Sequence, residues 1–276
     1  MSVSVIILTL NEENNLPVCL ESLAWCDDIV VFDSYSSDST VEVAKQAGAR
    51  VVQRRFDNWS AHQNWAVENI DFRYPWVWYV DADEVTPPEL AEELIEKTSD
   101  GSRPEVAFLV RRKNIFMGRE LKHGGLENVW IARLWKPNAI RWKRSVNPVP
   151  SIDGEVGHLQ NYLVHHFFSK GFDGWFERHN RYSNSEAEET LKGRQDTLDW
   201  RGLVSRDAVR RRLALKELSY RLPGRPWLKF FYMYFLRLGF LDGRPGLTYC
   251  ALQSVYEYMI CLKVKELRRR EDGLPI

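Results

Sequence analysis

Cysteine is scarce: Cys19, Cys26, Cys250 and Cys261 are the only four in 276 residues, and no two of them form a C-x-x-C step. Their spacing does not fit a zinc module and points instead to free, buried thiols in a reducing compartment. Long apolar runs are missing as well. No stretch reaches the ~18 residues that a membrane-spanning helix needs. Ser2 to Leu8 is already strand-like and has no basic stretch before an apolar one, so no signal peptide is expected. These absences predict a chain made and kept in the cytosol. No internal repeat and no low-complexity segment occurs.

What is present is a zero net charge that is unevenly spread. Residues 1–100 hold 6 Lys and Arg against 19 Asp and Glu, whereas residues 206–270 hold 15 against 5. Eleven Trp, eleven Tyr and thirteen Phe crowd toward the second half. An acidic head and a basic, aromatic tail imply two different tasks. The acidic head would repel a polyanion, so no nucleic-acid partner is expected. Hydrophobic content of 44% and charged content of 28% fit a globular chain with a sizeable core.

Apolar and polar periods alternate through the first hundred residues. Val3-Ser4-Val5-Ile6-Ile7-Leu8 reads as a central strand, followed by a polar loop at Thr9 to Asn15 and a helix to about Ala24. Asp28 to Asp33 reads as a second strand, and Val41 to Ala47 as a helix stopped by Gly48. Arg50 to Gln53 makes a third strand, Ser60 to Asn69 a helix, and Trp76 to Val80 a buried strand that ends in Asp81-Ala82-Asp83-Glu84. This order predicts an α/β fold with a doubly wound, mostly parallel sheet. Asn11-Glu12, Asp33 and Asp81/Asp83 then all fall where open α/β sheets place their ligands, at the carboxyl ends of strands. Two carboxylates one residue apart suit a hard divalent cation shared with phosphate oxygens. The alternative is an acidic turn that caps the helix at Glu89 to Lys97. Beyond Gly101 the strands Val106 to Phe116 and Trp130 to Trp135 extend the sheet. Arg141 to Leu163 reads as irregular, Gly171 to Thr190 as an amphipathic helix, and the rest as a hinge at Gly193 to Gly202 with two or three long helices to about Arg270. The expected division is a domain at 1–192 and a helical region at 193–276.

Three motifs carry a family resemblance: Val5-Ile6-Ile7-Leu8-Thr9-Leu10-Asn11-Glu12-Glu13, then Asp33-Ser34-x-Ser36-x-Asp38-x-Thr40, then Asp81-Ala82-Asp83-Glu84. In this order they resemble the family 2 glycosyltransferases of GT-A fold, and within them the bacterial lipopolysaccharide core β-1,4-glucosyltransferase type. Later stretches, His165-His166, Trp175 to Ser183 and Arg237 to Gly243, resemble the same group. The resemblance implies an inverting hexosyltransferase that uses a nucleotide-sugar, with UDP as the expected nucleotide. By position, Thr9, Asn11 and Glu12 would border the nucleotide, Asp33 would accept from the ring N–H of the base, and Asp81 and Ala82 would lie along the donor. Asp83 would be the direct ligand of Mg²⁺ or Mn²⁺, with Asp81 as a neighbour and His165 as a further ligand or else a plain core histidine.

The look-alikes carry Val-His-Glu on the loop that approaches the acceptor, with the Glu as base. This chain has Val146-Asn147-Pro148 there, and proline takes no proton. Asp153, Glu155 and Glu127 are the candidate substitutes, against the plainer reading of solvated loop carboxylates. Arg178 and Arg181, one helical turn apart around His179, are candidates to hold the donor diphosphate, or else form a solvated basic face. Gln63-Asn64 would help to position the sugar. The apolar run Pro226 to Arg237, flanked by Arg210 to Arg212 and Arg268 to Arg270, reads as a segment lying on an anionic membrane surface, where a lipid-linked glycan acceptor would be found. The competing reading is a helical subdomain whose Lys and Arg stems cover apolar surface. Two other functions stay open at this point. One is a catalytically weak nucleotide-sugar-binding or scaffolding protein, suggested by Pro148. The other is a nucleotidyltransferase, disfavoured because no Gly-rich phosphate loop follows the first strand.

Overall fold

A computed structural model describes residues 2–126, 129–144, 148–193, 199–207, 210–211, 214, 218 and 224–276. The chain divides into two units, Met1–Glu120 with Asn128–Ser169, and Leu121–Glu127 with Lys170–Ile276.

The first unit is built on one sheet. Its strands are β1 (Val3–Thr9), β2 (Ile29–Asp33), β3 (Arg50–Gln53), β4 (Trp76–Asp81), β5 (Glu84–Val85), β6 (Glu105–Phe116), β7 (Arg119–Leu121), β8 (Trp130–Trp135) and β11 (Glu155–His165). Their order is β3-β2-β1-β4-β8-β6-β11-β5, with β7 beside β6. The first four neighbours run parallel, β8 is antiparallel between β4 and β6, and β6 and β11 are parallel. The expected mostly parallel α/β sheet is therefore present. The stretch read as irregular is in fact regular. It contains a hairpin of β9 (Ile140–Lys143) and β10 (Val149–Ile152), followed by the long β11.

Side-chain alternation sorts the core onto two faces. Val3, Val5 and Ile7 of β1, with Trp76, Trp78 and Val80 of β4, face Leu16, Cys19 and Leu20 of α1 (Leu16–Glu21) and Leu90 and Leu94 of α4 (Pro88–Ser99). Ala44 of α2 (Thr40–Gln46) joins that layer. Ile6, Val77 and Tyr79 face the other way, toward Ala66 and Val67 of α3 (Trp59–Asn69) and Trp142 of β9. Burying each large apolar side chain contributes about 1.5–3 kcal/mol, so the central strands anchor the loops at their ends. Asn58 caps α3, its Oδ1 accepting from the Ala61 N–H at 3.0 Å. Asn64 holds the hairpin in place by pairing with both backbone groups of Trp142, at 2.9 and 2.8 Å.

The second unit contains α5 (Gly171–Gly193), α6 (Arg225–Phe231), a π-helical turn at Tyr232–Leu236, and α7 (Gly243–Glu271). The unit boundary falls at Ser169/Lys170, where the sequence predicted 192/193. The reason is packing: Ala187 of α5 is buried against Ile260 and Val264 of α7. Segment 121–127 joins this unit through Asp242, whose Oδ2 accepts from the Lys122 and His123 N–H groups at 3.0 and 2.8 Å. Cys19, Cys26 and Cys250 are buried and Cys261 partly so, and none of the four is in a disulfide. Burial pushes the Cys26 and Cys250 thiols up to about 11, as inert structural thiols require.

Candidate active site

The loops after β1 and β2 form one hydrogen-bonded body. Asp33 is fully buried, and its carboxylate accepts from Thr9 Oγ1 (3.0 Å), the Ser36 N–H (3.0 Å), Ser36 Oγ (2.5 Å) and Gln53 Nε2 (2.9 Å). A carboxylate has about four acceptor directions, and all are taken. A nucleobase N–H would thus have to displace a hydroxyl or the Gln53 amide to reach Asp33. Asn11 adopts φ 55°, the left-handed region that Asn tolerates, and its Oδ1 accepts from the Ser37 N–H at 2.8 Å. The Glu12 and Glu13 N–H groups donate to Thr40 Oγ1 (2.8 Å) and Asp38 Oδ2 (3.2 Å). Thr9, Asn11, Glu12 and Asp33 are therefore brought together, as the sequence predicted.

The strand end after β4 separates the two aspartates. Alternation puts Asp81 on the Tyr79 side of the sheet. There Arg133 Nη2 donates to Asp81 Oδ2 at 2.5 Å and to Glu84 Oε1 at 2.8 Å, while the Tyr79 hydroxyl donates to Asp81 Oδ1 at 3.0 Å. The Arg133 guanidinium lies 4.1 Å from the Tyr79 ring centroid, and Arg112 reaches Glu84 at 3.4 Å. Burial alone would raise the Asp81 pKa, but the charge of Arg133 outweighs it and holds this carboxyl below its ordinary value. For Glu84 burial dominates, and its pKa is raised. The backbone N–H of Asp81 donates to Glu84 Oε2 at 2.9 Å, which closes the turn.

Asp83 faces the other way. With Ala82 it lines a cavity of about 500 Å³ together with Asn15, Val18, Met117, His166 and Phe168. Its Oδ1 lies 3.7 Å from His165 Nε2. His165 Nδ1 lies 3.0 Å from Asn114 Oδ1, and an amide oxygen can only accept, so Nδ1 carries the hydrogen. In its neutral form the ring then turns the Nε2 lone pair toward the carboxylate oxygen, and in its protonated form Nε2 pairs with that carboxylate. Two acceptors opposed at that distance fit a shared cation, with the amide behind the imidazole fixing its orientation. Among the described residues no group of three or more His, Cys, Asp or Glu could hold a metal. A divalent ion would accordingly be held by Asp83 and His165, with its remaining ligands coming from substrate phosphate and water. Asp81, expected as a second ligand, has both oxygens engaged by Arg133 and Tyr79.

The candidate bases do not join this site. β11 is parallel to β6, so Glu155 starts it and His165 ends it. Ten residue steps of ~3.3 Å separate the two by about 30 Å. The Asp153 N–H donates to the Ala139 carbonyl at 2.9 Å, beside Ile140 and Ile152, the open end of the β9–β10 hairpin. Both carboxylates are exposed at the amino-end edge of the sheet, opposite the edge where Asp83 lies. Glu127, like Val146 and Asn147, lies outside the described residues. Pro148 directly precedes β10 and brings no side-chain proton acceptor. Arg178 and Arg181 are on α5 in the second unit. Between them His179 is stacked on Trp175 at 3.9 Å, and burial lowers it to about 4, so it adds no charge there at neutral pH. Gln63 donates to the Tyr79 hydroxyl at 3.2 Å, in the chain of contacts leading to Asp81.

Sequence reasoning missed Arg133 and Asn114. The signal for Arg133 was available: a lone Arg within the apolar strand Trp130-Ile131-Ala132-Arg133-Leu134-Trp135 must be paired if the strand is buried. Asn114 had no comparable signal, because its meeting with His165 depends on β6 and β11 being neighbours.

Comparison with known proteins gives the site its context. Residues 4–156, more than half of the chain, match glycosyl transferase family 2. The lipopolysaccharide core biosynthesis glycosyltransferase LpsC of Rhizobium meliloti is 26% identical over 266 residues, covering 94% of this chain and 87% of that protein. An uncharacterized glycosyltransferase of Rickettsia prowazekii is 22% identical over 202 residues, covering 69% of this chain and 68% of that one. Among solved structures, TarS 1–349 of S. aureus aligns over 98% of this chain and 92% of its own, at 15% identity and TM-score 0.47. Glucosyl-3-phosphoglycerate synthase from Mycobacterium tuberculosis, in complex with Mn²⁺, UDP-glucose and phosphoglyceric acid, aligns over 42% of this chain and 44% of its own, at 22% identity and TM-score 0.33. Both scores are below 0.5, so neither likeness bears on ligand or mechanism. The family match and the topology agree, and the chain belongs to glycosyl transferase family 2 as an enzyme of GT-A fold.

Proposed function

We propose that this glycosyltransferase moves a hexose, with inversion, from a nucleotide-sugar, UDP-hexose in the first instance, to a lipid-linked glycan of lipopolysaccharide or another cell-envelope polysaccharide. The observation that carries the reading is Asp83 opposed to His165 Nε2 at 3.7 Å beside a cavity at the carboxyl ends of parallel strands. The LpsC relative supports the envelope-glycan acceptor. A lipid-linked acceptor also implies work at the inner face of the cytoplasmic membrane.

The nucleotide would lie along Thr9, Asn11, Glu12 and Asp33, on loops already ordered by their own hydrogen bonds, so little is spent on arranging them. The acceptor hydroxyl oxygen attacks the anomeric carbon as the bond to the diphosphate oxygen breaks. Its proton passes to a base, and the electron pair leaves with the nucleoside diphosphate. Mg²⁺ or Mn²⁺ held by Asp83 and His165 would neutralise the charge that develops on that diphosphate. Asn114 keeps His165 turned toward Asp83, and Arg133 keeps the neighbouring carboxylates Asp81 and Glu84 folded against Tyr79.

The test is release of nucleoside diphosphate from a panel of nucleotide sugars, with and without divalent metal and a lipid-linked acceptor extract. Metal- and acceptor-dependent release is expected, and Asp83→Ala should lower kcat/KM by roughly 10³-fold or more. Pyrophosphate release from a nucleoside triphosphate would replace the proposal with nucleotidyl transfer. A second reading, a nucleotide-sugar-binding protein of weak activity, has Pro148 on its side. Metal-dependent donor stabilisation that no acceptor converts into turnover would favour it.

A further inference from the structure

The segment 225–241 turns its apolar side chains outward. Trp227, Phe231 and Phe235 form one row at i, i+4, i+8, exposed by 69%, 54% and 50%. Leu228, Tyr232 and Leu236 form the adjoining row, with Leu236 exposed by 75%. Phe231 and Phe235 stack at 5.6 Å, so these two members of the first row form one surface rather than isolated side chains. Of the apolar residues in the segment only Met233 is buried, and Leu238, Phe240 and Leu241 prolong the exposed surface. Soluble surfaces rarely leave so many large apolar groups in one contiguous patch.

The surface needs an occupant, and its chemistry selects one. Between Arg225 and Leu241 there are three cations, Arg225, Lys229 and Arg237, and no Asp or Glu. Arg225 is engaged by Glu257, whereas Arg244 on the first turn of α7 is exposed. A second copy of the chain seated symmetrically on this face would set cation against cation, because a two-fold interface pairs a patch with itself. An anionic bilayer accepts both components, the aromatic and leucine rows into the headgroup–acyl boundary and the cations onto lipid phosphates. Spanning is not an option: among the described residues no helix is long and apolar enough to cross a membrane. We infer that segment 225–241 is an interfacial anchor that lies in the surface of an anionic phospholipid bilayer, with the Trp227–Phe231–Phe235 and Leu228–Tyr232–Leu236 rows inserted. This deepens the proposed action on a lipid-linked acceptor, but its physical basis is independent of turnover.

Flotation of the full chain with vesicles tests it. Vesicles of phosphatidylglycerol and phosphatidylethanolamine should carry the protein up the gradient, and phosphatidylcholine vesicles should carry at least tenfold less. Trp227→Ser/Phe231→Ser/Phe235→Ser should abolish flotation while leaving the circular dichroism unchanged. Lys229→Glu/Arg244→Glu, which spares the apolar rows, should weaken it severalfold and remove most of its dependence on salt. Wild-type protein that stays at the bottom with anionic vesicles overturns the inference. So does a lipid-free dimer in sedimentation equilibrium that the triple substitution dissolves, since the occupant would then be a second copy. Metal-dependent diphosphate release on a delipidated, water-soluble glycan is measured in parallel. Wild-type protein that does not float yet shows that activity sinks the anchor alone, and wild-type protein that floats without activity sinks the transfer reading alone.

Discussion

The loops that follow β1 and β2 and the segment 225–241 treat their side chains in opposite ways. In the loops, Asp33, Ser36, Asp38, Thr40 and Asn11 satisfy one another before any ligand arrives. In the segment the polar groups are few and the apolar ones point outward. Pre-paired polar loops recognise a small ligand by fixed geometry, at low ordering cost. An outward apolar surface has no fixed geometry to offer and is completed only by another apolar phase. The first region is therefore stiff because of its own bonds, and the second is shaped by the few contacts beneath it. Each of the following substitutions tests that difference, beginning with the largest expected effect.

Arg133 is the charge that lets a stiff polar region exist on a buried strand. Arg133→Met keeps the length and removes the charge, leaving the buried Glu84 and the half-buried Asp81 without it. Breaking such a pair costs ~3–5 kcal/mol, which urea unfolding at pH 7 would show. The pH trend should invert as well. In the native protein Asp81 is held below its ordinary value, so its contribution is present above the ordinary carboxylate range and fades as pH falls through the lower folded value. Without Arg133, burial takes over and raises both carboxyls, and the variant should gain stability as pH falls and they take up protons. Arg133→Lys should recover part of the loss. A variant as stable as the parent with an unchanged trend would mean that the strand end is held by Tyr79 and the turn alone.

Much of this contrast was legible in the sequence, and the exceptions have a common cause. β3 and β8 begin and end where the periodicity put them, and β1, β2 and β4, which are buried on nearly every residue, do so to within a residue or so, because such a continuous apolar run is a local pattern. Asp33 and Asp83 could be picked out because strand ends and their loops are adjacent in sequence. Asp153 and Glu155 were weighed as bases against the plainer reading of solvated loop carboxylates, and their exposure agrees with the plainer one. Nothing local reveals that Glu155 begins a strand whose other end carries His165. The apolar run at 226–237 was visible, whereas its outward orientation depends on Met233 turning inward with Phe230 and Tyr234 half-buried beside it.

Protonation separates the regions by a smaller margin. His62 is stacked on Phe32 at 4.2 Å, lies 3.0 Å from Arg54 Nη1 and 3.3 Å from Ser34 Oγ, and is lowered to about 4 by burial and then by the Arg54 charge. The unfolded chain binds its proton near pH 6.5 and the folded chain only near 4, so unfolding takes up protons in between. Stability from this group is complete above about pH 6.5 and falls as pH drops toward 4, by on the order of 3 kcal/mol in all. His62→Gln cannot titrate and should flatten that slope by up to one proton, read from urea midpoints between pH 4 and 7. An unaltered slope would assign the titration elsewhere, with His179 on α5 the next group to replace.

The smallest change probes the segment from beneath. Gly239 is buried where a Cβ would lie 2.7 Å from Cys250 Sγ and 2.9 Å from the Met233 carbonyl oxygen, and a Cβ on Gly246 would run into the Gly239 carbonyl oxygen. The outward rows bury only part of their area in the protein itself, so their shape depends largely on this close approach and on Asp242, which lies 2.9 Å from His123. Gly239→Ala should therefore cost about 1–3 kcal/mol, the usual penalty for overpacking. Its effect should be local: faster amide hydrogen exchange through the π-helical turn and the first turns of α7, and weaker flotation on anionic vesicles. Donor stabilisation, which the proposed function assigns to the pre-paired loops, should keep its metal dependence. Uniform acceleration of exchange across β1, β2 and β4 as well would contradict the contrast, because a region shaped only by the contacts under it has no means of loosening strands that are held by their own core.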